Sequence, residues 1–320
     1  MQERPRRNRR NASIRTLVRE TELRPSDLVL PLFIREGVKV REELKSIPGN
    51  YRLSVDEAFF EAEKALKKGV HGVALFPVVP DSKKDAQATE SKNPKGLAPE
   101  AIRALKEKFP ELVIFADVAM DPYSSDGHDG YVQGGKILND KTLPILCEQA
   151  LCLAQAGADY VAPSDMMDGR VGAIRRYLDD SGLTETGILS YTAKYASCLY
   201  GPFREALDSA PRFGDKKTYQ MDPANRLEAV REARLDVSEG ADLLMVKPAL
   251  SYLDVISDLA RGFDLPIAAY QVSGEFAMMH AAAQRGWLDL DRALLESLTS
   301  IKRAGAKVIF TYSALKIRLD

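Results

Sequence analysis

The segment EGADLLMVKP, residues 239–248, carries the pattern that indicates the fold of this chain. Gly240 follows an amphipathic stretch and stands where a helix is expected to end. The apolar residues 243–246 then form a run of the length typical of a buried strand. Lys247 closes the run, and Pro248 prevents the strand from continuing. The segment therefore predicts a helix, a tight turn and a buried strand that ends in a lysine.

The same succession of features recurs along the chain. Short apolar runs occupy residues 28–34, 72–79, 112–119, 160–163, 187–191, 243–246, 266–272 and 307–312. Amphipathic stretches of helical period lie between them, including 55–68, 99–108, 142–156, 226–239 and 289–304. Glycines just before four of the runs favour helix ends at Gly69, Gly157, Gly240 and Gly305. Eight strands alternating with helices predict an α/β fold, a (β/α)8 TIM barrel, rather than an open doubly wound sheet.

The barrel is expected to span residues 25–320 as a single catalytic domain, because residues 1–24 lie outside this pattern. Five arginines fall within the first ten residues, yet the net charge of the 320-residue chain is only −1. That balance argues against a general nucleic-acid-binding protein. Residues 1–24 are expected to form an arm, which is either a frayed terminus or a segment that docks on a neighbouring subunit.

The remaining composition indicates a cytoplasmic protein without a membrane partner. No run of about 18 apolar residues occurs, and no apolar signal core follows the basic N-terminus. The cysteines are odd in number and lack the spacing of a zinc knuckle: Cys147, Cys152 and Cys198.

Active sites in such barrels form at the carboxyl ends of the strands. Two lysines lie there, Lys247 after one apolar run and Lys194 just past the preceding run. Burial and a second nearby cation both favour the neutral amine, which can attack a ketone. Adjacent strands are about 4.8 Å apart, so the two amines could converge on one ligand. The alternatives are a carboxylate partner for Lys247 and a solvated loop position for Lys194.

Two further segments accompany these strand ends. Residues 199–222 are rich in Gly, Pro and basic residues, without a clear period, and are expected to form a lid. Arg204, Lys216 and Lys217 on it favour a carboxylate-bearing substrate, although a charged solvated loop is the alternative. Residues 117–130 gather four aspartates and His128, which could hold a metal ion or simply form turns.

Together these segments resemble the porphobilinogen synthase (5-aminolaevulinate dehydratase) family over nearly the whole chain. The resemblance rests on GADLLMVKPA (240–249), YTAKYAS (191–197), YGPFREA (200–206), GDKKTYQ (214–220), APSDMMDG (162–169) and YQVSGE (270–275). That family condenses two 5-aminolaevulinate molecules to porphobilinogen, with loss of two waters, in haem and chlorophyll biosynthesis. The resemblance implies that Lys247 forms an imine with the propionate-side substrate and Lys194 with the acetate-side substrate, without an organic cofactor.

The resemblance also implies which residues hold the substrates. Arg204, Lys216 and Gln220 would bind the carboxylate of the acetate-side substrate. Ser273 and Tyr312 would bind that of the propionate-side substrate. Asp117 and Ser164 would lie near the acetate-side amino group.

The metal requirement is expected to differ from that of the zinc branch of the family, which uses three cysteines. The corresponding positions here are Ala119, Asp121 and Asp129. Alanine cannot ligate and aspartate lacks the thiolate that selects zinc, so a catalytic Zn²⁺ is not expected. The resemblance places the chain in the aspartate-type branch, with Mg²⁺, a monovalent cation or no metal at the active site. Asp121 and Asp129 stay candidate ligands, and Glu232 matches the residue that binds an allosteric Mg²⁺.

The resemblance further implies a homo-octamer in which the N-terminal arm wraps a neighbour and Arg15 lies at the boundary. Two alternatives stay open. One is another Schiff-base barrel, such as a class I aldolase, which normally uses a single imine-forming lysine. The other is a catalytically inactive barrel that serves as a scaffold.

Overall fold

The computed structural model describes residues 3–207 and 211–318 of the chain. Eight parallel strands close into a barrel, because the last strand pairs with the first. In chain order they are β1 (Leu28–Arg35), β2 (Gly72–Val78), β3 (Val113–Val118), β4 (Tyr160–Pro163), β5 (Gly187–Lys194), β6 (Leu243–Lys247), β7 (Ile267–Gln271) and β8 (Val308–Thr311). The predicted (β/α)8 barrel is confirmed, and each strand overlaps one of the eight apolar runs.

Helices connect the strands and cover the outside of the barrel, and a short one precedes the first strand. They are α1 (Ala12–Leu17), α2 (Val55–Lys67), α3 (Leu97–Lys108), α4 (Asn139–Gln155), α5 (Arg170–Asp180), α6 (Gly201–Leu207), α7 (Leu227–Glu239), α8 (Leu253–Gly262), α9 (Ser273–Gln284) and α10 (Leu290–Ala304). Within the described residues, none of them is both long and apolar enough to cross a membrane.

The predicted glycine helix ends are confirmed by the backbone. Gly69, Gly157, Gly240 and Gly305 have φ values of 78°, 103°, 98° and 122°. A side chain disfavours this left-handed region, so glycine lets the chain turn directly from helix into strand. The turn is tight enough that each strand starts within three residues of its glycine.

The barrel interior is filled by side chains from alternate positions of the strands. Phe115 and Tyr270 pack against Phe310, with ring centroids 5.2 and 5.5 Å away. All five residues of β6 are buried, as expected for a parallel strand covered on both faces. The interior is therefore closed, and the strand ends form the floor of a site.

Two insertions build up the rim at the carboxyl ends of the strands. The first is the rim hairpin, residues 41–53, whose strands Arg41–Glu43 and Tyr51–Leu53 pair antiparallel. Its second strand also pairs with the end of β1, through Phe33 and Arg52. A smaller hairpin joins Val132–Gln133 to Lys136–Ile137. The rim hairpin therefore stands beside the mouth of the barrel.

The lid segment contains regular structure that the sequence analysis did not predict. Residues 201–207 form α6, whereas 199–222 was expected to have no helical period. Gly201 and Pro202 are both compatible with the first turn of a helix. Residues 208–210 of the predicted lid lie outside the described residues. The chain after them returns to the barrel, where the Met221 amide donates to the Lys194 carbonyl at 3.0 Å.

The N-terminal segment precedes the barrel as a 3₁₀ helix, Pro5–Arg9, followed by α1. Neither helix contains a buried residue. Leu17 is 84% exposed at the end of α1. The division into an arm, residues 1–24, and a barrel, residues 25–320, stays a prediction.

Candidate active site

The two candidate lysines lie side by side at the carboxyl ends of β5 and β6. Lys194 and Lys247 are paired in register across the two strands. Their exposed fractions are only 6% and 5%. Sequence analysis placed Lys194 just past its strand, but β5 continues for three residues beyond Tyr191 and ends at Lys194. Both amines therefore belong to the rigid barrel rather than to a loop.

The Lys247 amine is surrounded by aromatic rings. Its Nζ lies 4.5 to 5.5 Å from the ring centroids of Tyr270, Phe203, Tyr191 and Tyr200. Burial, followed by the charge of Lys194, lowers the pKa of Lys247 to about 7, although nearby aspartates oppose the shift. A large share of the amine is therefore neutral near pH 7, which is the form that attacks a carbonyl.

Lys194 has oxygen neighbours in addition to the Tyr191 ring, whose centroid lies 5.9 Å from its Nζ. It donates a hydrogen bond to the backbone carbonyl of Ser164. Its Nζ also lies 3.7 Å from the Asp129 carboxylate. The two amines thus have different surroundings, one aromatic and one polar, so they are suited to different steps.

Lys216 from the lid segment lies between two aspartates of the loop after β3. Its Nζ is 3.1 Å from Asp121 Oδ2 and 3.2 Å from both oxygens of Asp129. Burial disfavours the ammonium, but the two carboxylates outweigh it and raise the pKa of Lys216. Asp129 is buried, yet Lys194 and Lys216 hold its pKa well below the usual range. In this structure Lys216 occupies the cation position between the two candidate metal ligands.

Asp117 is a buried carboxyl group at the end of β3. Burial and the charge of Asp121 raise the pKa of Asp117 to about 7, opposed by Ser164 and both strand-end lysines. Its Oδ1 has no hydrogen-bond partner among the described residues. A carboxyl group with a pKa near 7 can both accept and release a proton at neutral pH.

The other predicted substrate residues divide between the rings around Lys247 and the lid segment. Ser273 accepts a hydrogen bond from the Phe203 amide at 2.9 Å, and the Tyr312 hydroxyl lies 3.1 Å from that of Tyr270. Both are thus linked to rings around Lys247. Arg204 is half-buried on α6. Gln220 is buried, and its Oε1 lacks a hydrogen-bond partner within the described residues.

Sequence analysis missed the rings around Lys247 and a buried arginine. Tyr200 and Phe203 stand in the quoted YGPFREA segment, from which only Arg204 was selected. Arg170 is fully buried and donates to Ser190 Oγ at 3.1 Å and to Asp236 Oδ1 at 3.4 Å. Arginine in a helix normally indicates a surface position, so no local signal marked Arg170.

Glu232 lies away from the lysines, on α7, where it lines a cavity of about 620 Å³. Burial raises the pKa of Glu232, although Arg170 opposes the shift. Oxygen-bearing side chains share the cavity, namely Asn139, Asp168, Asp222, Asn225 and Glu228. No cluster of three or more His, Cys, Asp or Glu in the described ranges is arranged to hold a metal. Mg²⁺ usually keeps several waters and needs only one or two carboxylates, so Glu232 fits that ion.

Comparisons with known proteins agree on one family. The family model for delta-aminolevulinic acid dehydratase matches residues 2–319. The chloroplastic delta-aminolevulinic acid dehydratase of Physcomitrium patens is 57% identical over 322 residues, covering 99% of this chain and 73% of that protein. The Bradyrhizobium diazoefficiens enzyme is 53% identical and covers 98% and 89%.

A solved structure from the same family has the same fold. The delta-aminolevulinic acid dehydratase (porphobilinogen synthase) of Toxoplasma gondii, in complex with the reaction product porphobilinogen, superposes with a TM-score of 0.97. It is 53% identical, and the match covers 99% of this chain and 90% of that one.

Proposed function

The chain belongs to the delta-aminolevulinic acid dehydratase family and is a lyase, and we propose that it condenses two 5-aminolevulinate molecules through imines on Lys247 and Lys194. The products are one porphobilinogen and two waters. The observation that carries this proposal is the pairing of two buried lysines, in register, at neighbouring strand ends. A class I aldolase needs only one such lysine, and a scaffold needs neither.

Lys247, whose pKa is lowered to about 7, opens the reaction. Its nitrogen attacks the ketone carbon of one substrate, and loss of water from the adduct gives a protonated imine. The four rings around Nζ shield the imine from water, which would otherwise hydrolyse it. The imine makes the former ketone carbon of this propionate-side substrate the electrophile for the carbon–carbon bond.

Lys194 would hold the acetate-side substrate, whose imine loses a proton from the adjacent carbon to give the nucleophilic enamine. Its amine, oriented by Asp129 and the Ser164 carbonyl, attacks the ketone of that substrate to form the imine. Attack by this enamine on the imine carbon at Lys247 forms the carbon–carbon bond. The amino group of the propionate-side substrate then attacks the carbon held by Lys194 and displaces that amine, and loss of a ring proton with release of the Lys247 amine completes the pyrrole. Asp117, with its pKa of about 7, is suited to accept the proton that leaves carbon. Binding both substrates in one pocket removes much of the entropic cost of their encounter.

The substrate carboxylates are assigned to cationic and hydroxyl groups at the rim. Arg204, Gln220 and Lys216 would hold the acetate-side substrate, and Lys216 would then leave the aspartates for the carboxylate. Ser273 and Tyr312 would hold the propionate-side substrate, beside the rings around Lys247. Expelling water from this mouth strengthens each of these contacts.

The first prediction tests the imine assignment in the unmodified protein. Borohydride added with 5-aminolevulinate reduces an imine to a stable amine, so peptide mapping should find the label on Lys247. Borohydride without substrate should leave that peptide unlabelled. Label on a lysine outside the pair, or no label together with no porphobilinogen formed, would refute the assignment.

We propose that the activating metal ion binds at Glu232 rather than beside Lys194 and Lys247. Between Asp121 and Asp129 the ammonium of Lys216 already supplies the positive charge. Mg²⁺ bound at Glu232 would supply positive charge among the carboxylates of its cavity and activate the enzyme allosterically.

The second prediction concerns Glu232→Gln, which should weaken Mg²⁺ binding by at least roughly tenfold because a neutral amide replaces the carboxylate. Titration calorimetry measures the binding, and turnover with EDTA and added Mg²⁺ measures the activation. Glu239→Gln on the same helix is the control, since Glu239 instead accepts from the Gly172 amide at 3.0 Å. Activation by K⁺ alone would indicate that the activating ion is monovalent. Inhibition by o-phenanthroline alone would indicate that the enzyme requires zinc.

Assembly is proposed to follow the family pattern, a homo-octamer in which residues 1–24, with Arg15, dock on a neighbour. The exposed apolar side chains at the end of α1, Leu17 and Val18, support such docking. A helix of six residues is also too short to be stable without tertiary contacts.

A further inference from the structure

The rim hairpin contacts the lid helix α6 at both of its ends. Arg52 Nε donates a hydrogen bond to the Ala206 carbonyl at 2.8 Å. Ser46 Oγ lies 3.4 Å from the Pro202 carbonyl, at the other end of the helix. The last carbonyls of a helix lack partners within it, and a cation there is favourable with the helix dipole. Arg52 therefore caps the carboxyl end of α6 from outside.

Arg52 is itself held in place by the barrel rim. Its Nη1 donates to Glu42 Oε1 at 2.9 Å, and the Arg35 guanidinium, at the end of β1, contacts the other oxygen of Glu42. Its backbone pairs with Phe33 of β1. The Arg52 guanidinium thus links α6 to the rigid strand β1. A helix of only seven residues is too short to be stable alone, so it depends on such contacts.

The position of α6 matters because it carries Phe203. That ring lies 4.8 Å from Lys247 Nζ and packs against Phe33 and Phe76, with centroids 5.7 and 5.2 Å away. The Phe203 amide also donates to Ser273 Oγ. One wall around the Lys247 amine therefore comes from α6, whereas the Tyr191 and Tyr270 rings come from barrel strands.

We propose that Arg52 is a positioning residue that holds α6 against the barrel, so that Phe203 stays over Lys247 and excludes water from the amine. In this proposal Arg52 acts on the Lys247 amine through α6. The inference rests on the proposed role of Lys247 as an imine-forming nucleophile. It adds a residue that controls the surroundings of the Lys247 amine from outside the lid and the strand ends, in the insertion between β1 and α2.

The pKa of Lys247 depends on the position of α6, because burial is the main cause that lowers this pKa. The titratable groups that face it are Lys194 of β5, the carboxylates Asp117, Asp121 and Asp129, and the phenols Tyr191, Tyr200 and Tyr270. Arg52→Ala changes none of these groups. If α6 moves and water reaches Nζ, the pKa of Lys247 rises toward its ordinary value.

The third prediction is that Arg52→Ala shifts the pH midpoint of borohydride trapping at Lys247 upward by about one unit. Trapping at pH 7 should then be several-fold to tenfold slower, because one unit changes the neutral fraction up to tenfold. We expect kcat at pH 7 to fall similarly, and Arg52→Lys to restore part of it through a single hydrogen bond to Ala206. Arg41→Ala is the matched control, because Arg41 lies on the same hairpin but pairs with Glu57 and Glu61 of α2. The pH midpoint of trapping in Arg41→Ala should equal that of the wild type.

Phe203→Ala makes the test independent of whether Arg52→Ala folds. Removing the ring itself should produce the same upward shift, and the double variant should shift no further than either single one. An unchanged midpoint in Phe203→Ala, or in a folded Arg52→Ala, overturns the inference. Equal shifts in Arg41→Ala and Arg52→Ala would overturn it as well. Absence of trapping in the wild type would instead refute the proposed function.

Discussion

Replacing Lys247 with methionine is expected to lower kcat for porphobilinogen formation by at least about 10⁴-fold while the barrel stays folded. The variant has no nitrogen to form the imine, and no later step can proceed. Methionine is flexible and apolar, so it suits a position 5% exposed among four rings. A colorimetric porphobilinogen assay measures the loss, and thermal unfolding by circular dichroism measures the fold. Residual activity above about 1% of wild type would contradict the role.

Lys247→Arg is the matched control for charge. Arginine keeps a cation at this position but cannot be deprotonated in proteins, so it should be as inactive as methionine. The pH dependence of the wild type follows from the same amine. Its pKa is lowered to about 7, so the neutral form and the trapping rate should rise as the pH increases through about 7. A wild-type rate that instead falls across this range would contradict the assignment.

The fold could be predicted from sequence because the signals are local. Gly240 ends a helix, residues 243–246 form a buried strand, and the same order recurs around the barrel. Lys247 could be recognised for the same reason, since an apolar run leads directly to it. Lys194 is harder to recognise as a strand-end residue, because Tyr191-Thr-Ala-Lys194 does not continue the apolar run. Strand β5 reaches Lys194 through its pairing with β6, which no local pattern contains.

What could not be predicted depends on contacts between distant segments. Lys216 and Asp129 are 87 residues apart in sequence, yet they form a buried ion pair. Sequence analysis instead assigned Lys216 to a substrate carboxylate and the aspartates to an ion, because each segment was considered alone. Helix α9 is apolar on most sides, so the periodicity did not mark it. The short charged strands of the rim hairpin lack the alternation that identifies a strand.

Replacing Lys194 with methionine should have two separable effects. Loss of the second imine is expected to lower kcat by about 10³-fold or more, since one substrate is no longer activated. The remaining amine should also change. The charge of Lys194 helps lower the pKa of Lys247, so its removal should raise that pKa by about one unit. Borohydride trapping at Lys247 should then persist, but with its pH midpoint shifted upward.

Lys194→Arg separates the two effects because it keeps the positive charge without an amine that forms imines. We expect kcat to fall as far as in the methionine variant, whereas the pH midpoint of trapping at Lys247 stays near that of wild type. Equal upward shifts in both variants would mean that the shape of the side chain, rather than its charge, tunes Lys247. No shift in either would leave burial as the only cause, and the aromatic rings around Lys247, including Phe203, would then set its pKa. The paired lysines would in that case act independently, each on its own substrate.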